Sequence, residues 1–265
     1  MKLTTEIPLL GLGTWDLRGS ECVRTVAEAL ELGYRHIDTA QMYENEREIG
    51  RAIQDSPVDR DAVFVTTKLW RDSLTRAAVH RSVEESLRRL ATDYVDLLLI
   101  HWPNDDVPLA ETIEAMEGLR EDGKTRAIGV SNFPEALWKQ ALDLAPVRVN
   151  QIEYHPFLDQ TALLRFARER SLRLTAYRPI AKGRVAGNST ILRIARTYER
   201  TPVQVTLRWL VQQGVAAIPK AARRTHLVEN LGIFDFVLTD EAMSAIDAVR
   251  RDQRYVNPGW APSWD

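Results

Sequence analysis

Eight short apolar segments recur along the chain, and each is followed by a stretch whose apolar residues are spaced for one face of a helix. The segments cover residues 9–14, 35–39, 63–68, 95–101, 127–131, 147–153, 172–177 and 215–219. Nearly continuous apolar strands that alternate with helices are typical of a parallel sheet whose faces are covered by helices. The pattern therefore predicts an α/β protein with eight strands.

The stretches between the strands carry helix signals. In residues 77–90, Val79, Val83 and Leu87 fall on one helical face together with Ser86 and Leu90. Other signals are candidate helix starts at Ser20, Asp59, Thr75 and Thr201-Pro202, a helix over 202–213, and a helix end at 121–123.

Eight strand–helix units favour closure into a (β/α)8 barrel, a TIM barrel, that spans residues 1–265 as one domain. A short N-terminal segment is expected to cap the barrel, and residues 252–265 to form an ordered tail. The main alternative is an open nucleotide-binding sheet with the fingerprint Gly-x-Gly-x-x-Gly. Gly11 and Gly13 match its first two glycines, but Asp16 replaces the third and no helix follows directly. The sequence therefore favours the barrel.

The composition is that of an ordinary globular enzyme. The 265 residues are 45% hydrophobic and 27% charged, with a formal net charge of −2. We expect no nucleic-acid or membrane partner, because the chain has no basic block, no span-length apolar segment and no secretory leader. The one cysteine, Cys22, cannot form an internal disulfide, which suits a reducing compartment. These features predict a cytoplasmic monomer, and we expect no metal site.

Ionisable residues stand at the ends of three successive predicted strands. Asp38, Lys68 and His101 end the second, third and fourth strands, and Tyr43 follows the second strand by a few residues. The C-terminal ends of barrel strands meet at one mouth, where active sites of this fold lie. Any one of these residues alone would more often be a helix cap or a core residue. Together they predict a catalytic site.

The chemistry of this set points to proton transfer. A buried Lys68 ammonium requires a carboxylate partner, and Asp38 is available. A cation near the Tyr43 hydroxyl is expected to lower the pKa of that phenol and make it a better general acid. His101 would then hydrogen-bond a carbonyl oxygen. Reduction of that carbonyl also needs a hydride, for which a nicotinamide cofactor is the usual source.

Seven motifs in this order resemble those of the aldo-keto reductase family, from about residue 10 to the C-terminus. They are GLGTW at 11–15, DTAQMY at 38–43, TTKLW at 66–70, LIHWP at 99–103, IGVSNF at 128–133, NQIE at 150–153 and IPK at 218–220. The resemblance implies a carbonyl reductase that uses NAD(P)H. It assigns Asp38, Tyr43, Lys68 and His101 to the family's catalytic tetrad.

The same resemblance implies where the cofactor binds. Ser131, Asn132 and Gln151 would hold the nicotinamide carboxamide, and Tyr177 would stack on its ring. Lys220 and Arg223 would meet a 2′-phosphate. The other implied cofactor-binding residues are Gly13, Thr14, Trp15, Arg178, His226, Glu229 and Asn230, of which the last two match adenine-contacting positions.

Three positions depart from the family's pattern. Ala221 stands where many members have a phosphate-binding serine, and His226 stands where NADPH-specific members usually have arginine. We therefore predict NADPH as cofactor, with NADH also accepted. Arg178 replaces a common serine after the stacking aromatic residue, and it either reaches the cofactor pyrophosphate or lies in solvent.

Tryptophans are expected to wall the substrate pocket. They are Trp15, Trp70 and Trp102 at strand ends and Trp260 on the tail, with Trp264 as a further candidate. The short N-terminus, residues 34–41 and the ending 261–265 resemble bacterial 2,5-diketo-D-gluconic acid reductases, especially the shorter B type. This implies small carbonyl substrates such as 2,5-diketo-D-gluconate or methylglyoxal.

Two other interpretations of the barrel remain open at this point. Lys68 could act as the Schiff-base nucleophile of an aldolase, although a nearby Asp38 would keep it protonated. Alternatively, the chain could be a non-catalytic barrel that binds a nicotinamide cofactor and regulates a partner. Family members of that kind carry extensions or insertions, and neither is apparent here.

Overall fold

The computed structural model describes residues 7–249 and 252–264. Eight parallel strands follow one another in chain order around one sheet. The strands are β1 (Leu12–Gly13), β2 (His36–Asp38), β3 (Phe64–Leu69), β4 (Val95–Ile100), β5 (Thr125–Ser131), β6 (Val149–Glu153), β7 (Arg173–Tyr177) and β8 (Ala216–Ala217). All eight predicted strands are confirmed, with bounds that shift by a few residues.

The barrel closes between β8 and the segment around β1. Leu10 and Ala217 form a parallel bridge, and the N–H of Gly11 donates to the carbonyl of Ala217 at 2.9 Å. β1 and β8 are much shorter than the predicted 9–14 and 215–219 because residues flanking them pair through single backbone bonds rather than a continuous ladder. The predicted (β/α)8 barrel is confirmed.

Helices alternate with the strands. They are α1 (Gly19–Glu31), α2 (Glu46–Gln54), α3 (Arg76–Leu90), α4 (Leu109–Glu121), α5 (Glu135–Leu144), α6 (Thr161–Glu169), α7 (Ser189–Thr197), α8 (Pro202–Gln212), α9 (Arg224–Leu231) and α10 (Asp240–Asp247). The helix predicted over 77–90 is confirmed as α3. α8 begins with a full capping box, in which Thr201 and Gln204 exchange side-chain and backbone hydrogen bonds. Gly123, with φ of +74°, follows the end of α4 as predicted.

Of the other three predicted helix starts, Thr75 is confirmed as the residue before α3, while Ser20 and Asp59 are wrong. Ser20 lies inside α1, which begins one residue earlier at Gly19. Asp59 precedes only a 3-10 turn, Arg60–Ala62, because β3 begins immediately afterwards. Thr75 precedes α3, but its side chain makes no capping hydrogen bond. A single polar residue before a helix is thus a weaker signal than the reciprocal pair at α8.

Apolar side chains fill the lower half of the barrel. Alternate residues of each strand face inward, and Phe64, Leu97, Leu99 and Val149 form a buried cluster there, with Ile7 packed against it. The predicted N-terminal cap otherwise falls on residues 1–6, outside the described range. Most polar inward-facing residues lie at the opposite, C-terminal ends of the strands; His36, at the start of β2, is an exception that packs on Phe64 and hydrogen-bonds Thr66 at 3.1 Å.

Within residues 7–249 and 252–264, no helix has both the length and the apolar character that crossing a bilayer requires.

Candidate active site

The strand register places the three predicted strand-end residues on adjacent strands, each two residues further along than the one before. Asp38 ends β2 and pairs with Thr66 of β3, while Lys68 pairs with Leu99 of β4, two residues before His101. Because Asp38, Lys68 and His101 occupy inward-facing positions of adjacent strands, their side chains converge at the mouth.

A buried ion pair lies at the base of the site. Lys68 Nζ donates to Asp38 Oδ1 at 2.6 Å and to the backbone carbonyl of Thr39 at 2.7 Å, and both charged side chains are fully buried. Its third hydrogen-bond partner is the Tyr43 hydroxyl, at 3.5 Å. All three donors of the ammonium are therefore directed at oxygen atoms. Burial lowers the pKa of Lys68, while the charge of Asp38 and its hydrogen bond oppose that shift.

The loop that carries Tyr43 is held by a buried asparagine. Asn45 Nδ2 donates to the carbonyls of Thr14 at 2.9 Å and Leu17 at 3.1 Å, and its Oδ1 accepts from Thr39 Oγ1 at 2.7 Å. This network ties the loop after β2 to the loop after β1. It fixes the position of Tyr43, the last residue of a 3-10 turn, over the Lys68 ammonium.

The pKa of Tyr43 shifts in the direction opposite to the sequence-based expectation. Burial and the negative charge of Asp38 raise the pKa of Tyr43 well above its usual value, and the charge of Arg178 only partly opposes this. The predicted lowering by Lys68 is therefore wrong for this chain, because burial of the phenol outweighs the effect of the nearby ammonium and the charge of Asp38 acts in the same direction as burial. The phenol consequently keeps its proton at neutral pH, which is the state a proton donor requires.

His101 is held as a neutral imidazole. Burial and the nearby charge of Lys68 lower its pKa well below the ordinary value. Its ring contacts those of Tyr43 and Trp70 edge-on, with centroid separations of 5.7 and 5.2 Å. A neutral imidazole carries one N–H, and that group can donate to a carbonyl oxygen placed beside the Tyr43 hydroxyl.

A cavity of about 550 Å³ opens above these residues. Its lining combines apolar surface with three of the four tetrad side chains and with three cations. The lining residues are Gly13, Thr14, Trp15, Asp38, Met42, Tyr43, His101, Trp102, Asn132, Gln151, Tyr177, Arg178, Pro179, Ile180, Lys182, Ile218, Pro219, Lys220 and Val256. Lys68 lies below this lining, fully covered.

Of the residues predicted to hold the carboxamide, two line the cavity and one lies behind it. Gln151 Nε2 donates to Asp38 Oδ2 at 2.6 Å, so it also completes the shell of that carboxylate. Asn132, with φ of +63°, donates to the His101 carbonyl at 2.9 Å and accepts from the Tyr177 hydroxyl at 2.7 Å. Ser131 is buried and donates to the Gln151 carbonyl at 2.8 Å.

The predicted adenosine-binding residues are spread over the loop after β8 and α9. Lys220 lines the cavity, and its Nζ donates to the Asp16 carbonyl at 3.1 Å. Further along the chain, Arg223 and His226 are exposed, Asn230 is buried and Glu229 accepts a hydrogen bond from Thr201. Among the described residues, these last four stand outside the lining of the cavity. Of the predicted adenosine-binding residues that the structure describes, Lys220 alone lines the cavity that Asp38, Tyr43 and His101 also line.

Arg178 has a contact that sequence reasoning missed. Its Nη1 donates to the backbone carbonyl of Tyr255 on the C-terminal tail at 3.3 Å, and the residue also lines the cavity. Neither predicted alternative included the tail. No local signal in the sequence could have found this contact, since 77 positions separate the two residues.

Aromatic rings form a continuous wall beside the tetrad. Trp15 contacts Tyr43 at a centroid distance of 4.9 Å, and Trp260 contacts both Trp70 at 5.9 Å and Trp102 at 5.2 Å. Trp264 extends the wall by packing against Trp102 at 6.1 Å. The four predicted substrate-site tryptophans therefore belong to one surface. Trp15 and Trp102 line the cavity, whereas Trp70 and Trp260 reach it only through their neighbours.

Several lining residues were not predicted. They are Met42, Pro179, Ile180, Lys182, Ile218, Pro219 and Val256. Ile218 and Pro219 lay within the predicted eighth strand, so their position at the mouth was implicit. Lys182 lies in the loop after β7. A charged residue in such a loop could have been predicted to line the site, because active sites of this fold are built from the loops that follow the strands.

A family model described as the aldo/keto reductase family matches residues 9–251. The chain is 40% identical over 265 residues to the methylglyoxal reductase DkgB of Salmonella typhi, covering 98% of this chain and 99% of that protein. It is 41% identical over 254 residues to the glyoxal reductase of Bacillus subtilis (strain 168), covering 94% and 91%. A crystal structure provisionally described as a 2,5-diketo-D-gluconic acid reductase B superposes with a TM-score of 0.95 at 49% identity, covering 98% of this chain and 94% of that one.

The family match and the reductase relatives identify this barrel, with its buried Lys68–Asp38 pair and the tyrosine above it, as an oxidoreductase that acts on carbonyl groups. The chain belongs to the aldo/keto reductase family. It is an enzyme of carbonyl reduction, and the comparisons give no support to an aldolase or to a non-catalytic barrel.

Enzymes of this family use nicotinamide cofactors, and the described cavity suits such a group. Arg178, Lys182 and Lys220 line it, and cationic donors are what the phosphate groups of a dinucleotide require. Tyr177, from the end of β7, contributes an aromatic ring close to the tetrad. When bound, the cofactor supplies the hydride that no side chain can provide.

Proposed function

We propose that this enzyme reduces small aldehydes and ketones, in particular dicarbonyl compounds such as methylglyoxal and 2,5-diketo-D-gluconate, with NADPH. The observation that carries the proposal is the Tyr43 hydroxyl, which lines an aromatic-walled cavity 3.5 Å from the Lys68 ammonium. The names of the relatives, a methylglyoxal reductase and a glyoxal reductase, support the substrate class.

In the proposed mechanism, Tyr43 donates its proton to the carbonyl oxygen of the substrate. Hydride goes to the carbonyl carbon, so the C=O bond becomes an alcohol. The His101 N–H orients the oxygen, and the Lys68 ammonium stabilises the phenolate that Tyr43 becomes once its proton has left. Asp38 holds Lys68 charged and in place. The raised pKa of Tyr43 keeps the proton on the phenol until the carbonyl oxygen of the substrate acquires negative charge.

The proposed cofactor site uses Asn132, Gln151 and Tyr177 near the tetrad and Arg178 and Lys220 farther along the cavity. Gly13, Thr14 and Trp15 would flank it from the loop after β1. Arg223 and His226 are exposed where a 2′-phosphate would be met, and Glu229 and Asn230 are proposed for the adenine. Ala221 is buried and offers no hydroxyl, so we propose that NADH is accepted as well.

The test is a matrix of initial rates with NADPH and NADH against methylglyoxal, a diketo sugar acid and an aromatic aldehyde. We expect turnover with the dicarbonyls and a preference for NADPH below about a thousandfold, roughly 4 kcal/mol. A larger preference would refute relaxed cofactor use. An absence of turnover with every carbonyl would refute the proposed function.

We also propose that the protein acts as a monomer in the cytoplasm. The basis is its modest net charge of −2 and its one cysteine, Cys22, which is buried. Light scattering of the purified protein should give a mass near 30.2 kDa.

A further inference from the structure

The C-terminal tail, residues 252–264, meets the barrel at one buried carboxylate. Glu153 ends β6 and is fully buried. Its Oε1 accepts from the N–H of Tyr255 at 2.8 Å, and its Oε2 accepts from the N–H of Val256 at 2.8 Å. A buried carboxylate is stable only when its oxygen atoms are hydrogen-bonded, so the tail backbone and Glu153 satisfy one another.

His155 completes this arrangement. Its Nδ1 accepts from the N–H of Phe157 at 3.3 Å, which leaves the proton on Nε2, and Nε2 donates to Glu153 Oε1 at 3.0 Å. The ring also packs against that of Tyr255 at 5.2 Å. Both groups, Glu153 and His155, are completely buried.

The backbone and the ring of Tyr255 both contact the barrel. Its N–H is bound by Glu153, its carbonyl accepts from Arg178 Nη1 at 3.3 Å, and its ring lies between His155 and the Arg184 guanidinium, 5.1 Å away. We call Glu153, His155 and Arg178, together with the tail residues Tyr255 and Val256, the tail clamp.

Beyond the clamp, the tail reaches the reacting end of the cavity. Val256 lines the cavity directly, and Trp260 packs on Trp70 and Trp102. Trp70 in turn contacts His101. The position of Trp260 in the aromatic wall therefore depends on the path of the tail, which the clamp fixes at Tyr255 and Val256.

We propose that Glu153 is a positioning residue that fixes the tail and thereby shapes the substrate side of the active site. Among the described residues, its side-chain hydrogen bonds run to the tail and to His155, and none runs to Asp38, Tyr43, Lys68 or His101. Glu153 therefore acts on carbonyl binding through Val256 and Trp260, and leaves the proton-transfer groups in place.

This inference depends on the proposed function for its kinetic test, but not for its structural one. The variant is Glu153→Gln, which keeps the size of the side chain but turns one acceptor into an NH2 donor. At least one of the three facing N–H groups then loses its acceptor. We expect KM for methylglyoxal to rise about tenfold, from loss of a hydrogen bond to a charged group, while kcat changes less than about threefold.

The structural readout is hydrogen exchange at the Tyr255 and Val256 amides, together with trypsin cleavage of the Arg254–Tyr255 bond. Both should become faster in Glu153→Gln, without a matching change in the helices. The control is Gln160→Leu, which removes a buried hydrogen bond to the Glu153 carbonyl and leaves the side-chain hydrogen bonds of Glu153 to the tail intact. It should lower stability and leave tail exchange and KM unchanged.

The outcomes separate the two proposals. Unchanged tail exchange in Glu153→Gln overturns the clamp, whatever the activity. Faster exchange with unchanged KM overturns the positioning role, and so does a KM change of equal size in Gln160→Leu. If the wild type turns over no carbonyl, the proposed function fails while exchange still decides the clamp. If Glu153→Gln does not fold, Tyr255→Ala removes the ring contacts and the hydroxyl bond to Gln253 but keeps the backbone bonds of the tail, and it should likewise raise both tail exchange and KM.

Discussion

The backbone of Gly13 lies directly against the carbonyl oxygen of Ile218: a Cβ atom added at Gly13 would sit 2.5 Å from that oxygen. The contact falls at the seam where β8 meets β1, beside the N–H of Gly13, which donates to the Pro219 carbonyl at 3.1 Å. Gly13 was predicted as a cofactor-binding residue, and it does line the cavity. Its lack of a side chain is also required by barrel closure.

Gly13→Ala should therefore destabilise the protein. We expect a loss of about 1–3 kcal/mol in the free energy of unfolding, because the backbone at the seam has to move apart. Urea unfolding measures it. Gly118→Ala is the control, since it lies in α4 with open space around it and should be neutral or stabilising. Equal effects of the two substitutions would contradict the seam argument.

Tyr43→Phe removes the transferable proton and keeps the ring that packs on Trp15. We expect carbonyl reduction to fall at least about a hundredfold, the lower limit for loss of a general acid. Binding of NADPH, followed by fluorescence, should survive. Full turnover in this variant would assign the proton donor to another residue.

Replacing one partner of the buried Lys68–Asp38 pair should lower the free energy of unfolding more than replacing both partners. Lys68→Met leaves Asp38 buried with Gln151 as its remaining side-chain partner, and we expect a loss of about 3–5 kcal/mol of stability. Lys68→Met combined with Asp38→Asn should recover part of that stability, since no uncompensated charge is left. Simple additivity of the two single substitutions in a double-mutant cycle would show that the pair is not coupled.

Stability should decline as the pH falls below about 6.5, the ordinary pKa of histidine. Burial lowers the pKa of both His36 and His101 in the folded chain. The unfolded state therefore binds more protons than the folded state below that pH, and protonation favours unfolding. Urea unfolding at pH 7.5 and 5.5 should show about 1 kcal/mol of loss per buried histidine. His101→Gln should reduce this slope, and a slope equal to that of the wild type would contradict the role of the buried imidazole.

Thr201→Ala should lower stability by about 1 kcal/mol, the typical effect of losing an N-cap. The Thr201 hydroxyl caps α8 and also bonds Glu229, so it joins α8 to α9. Thr201→Ser keeps the hydroxyl and should restore most of the loss. A serine variant as unstable as the alanine one would show that the methyl group, rather than the cap, matters.

The fold was predictable because its signals are local and repeated. Eight apolar segments at strand length specify the barrel, and alternate residues such as Phe64 and Lys68 must then share its inner face. The convergence of Asp38, Lys68 and His101 follows from that topology. What stayed hidden were the tail contacts of Glu153 and Arg178, which depend on how a segment without regular structure crosses the mouth.

The direction of the Tyr43 pKa was also beyond sequence reasoning. Proximity to a lysine was foreseeable, but the outcome depends on burial and on the charge of Asp38, which acts in the same direction as burial. Burial and the distance between the charges are known only once the chain has folded. Likewise, Gln151 could be foreseen at the mouth, but its bond to Asp38 could not, because 113 positions separate them.

The apolar cluster of Phe64, Leu97, Leu99 and Val149 packs the inside of the barrel below the active site. Among the described residues, this cluster fills the end of the barrel opposite the active site. Substrate and product should therefore exchange through the mouth, beside the tail, where Trp260 packs on Trp70 and Trp102.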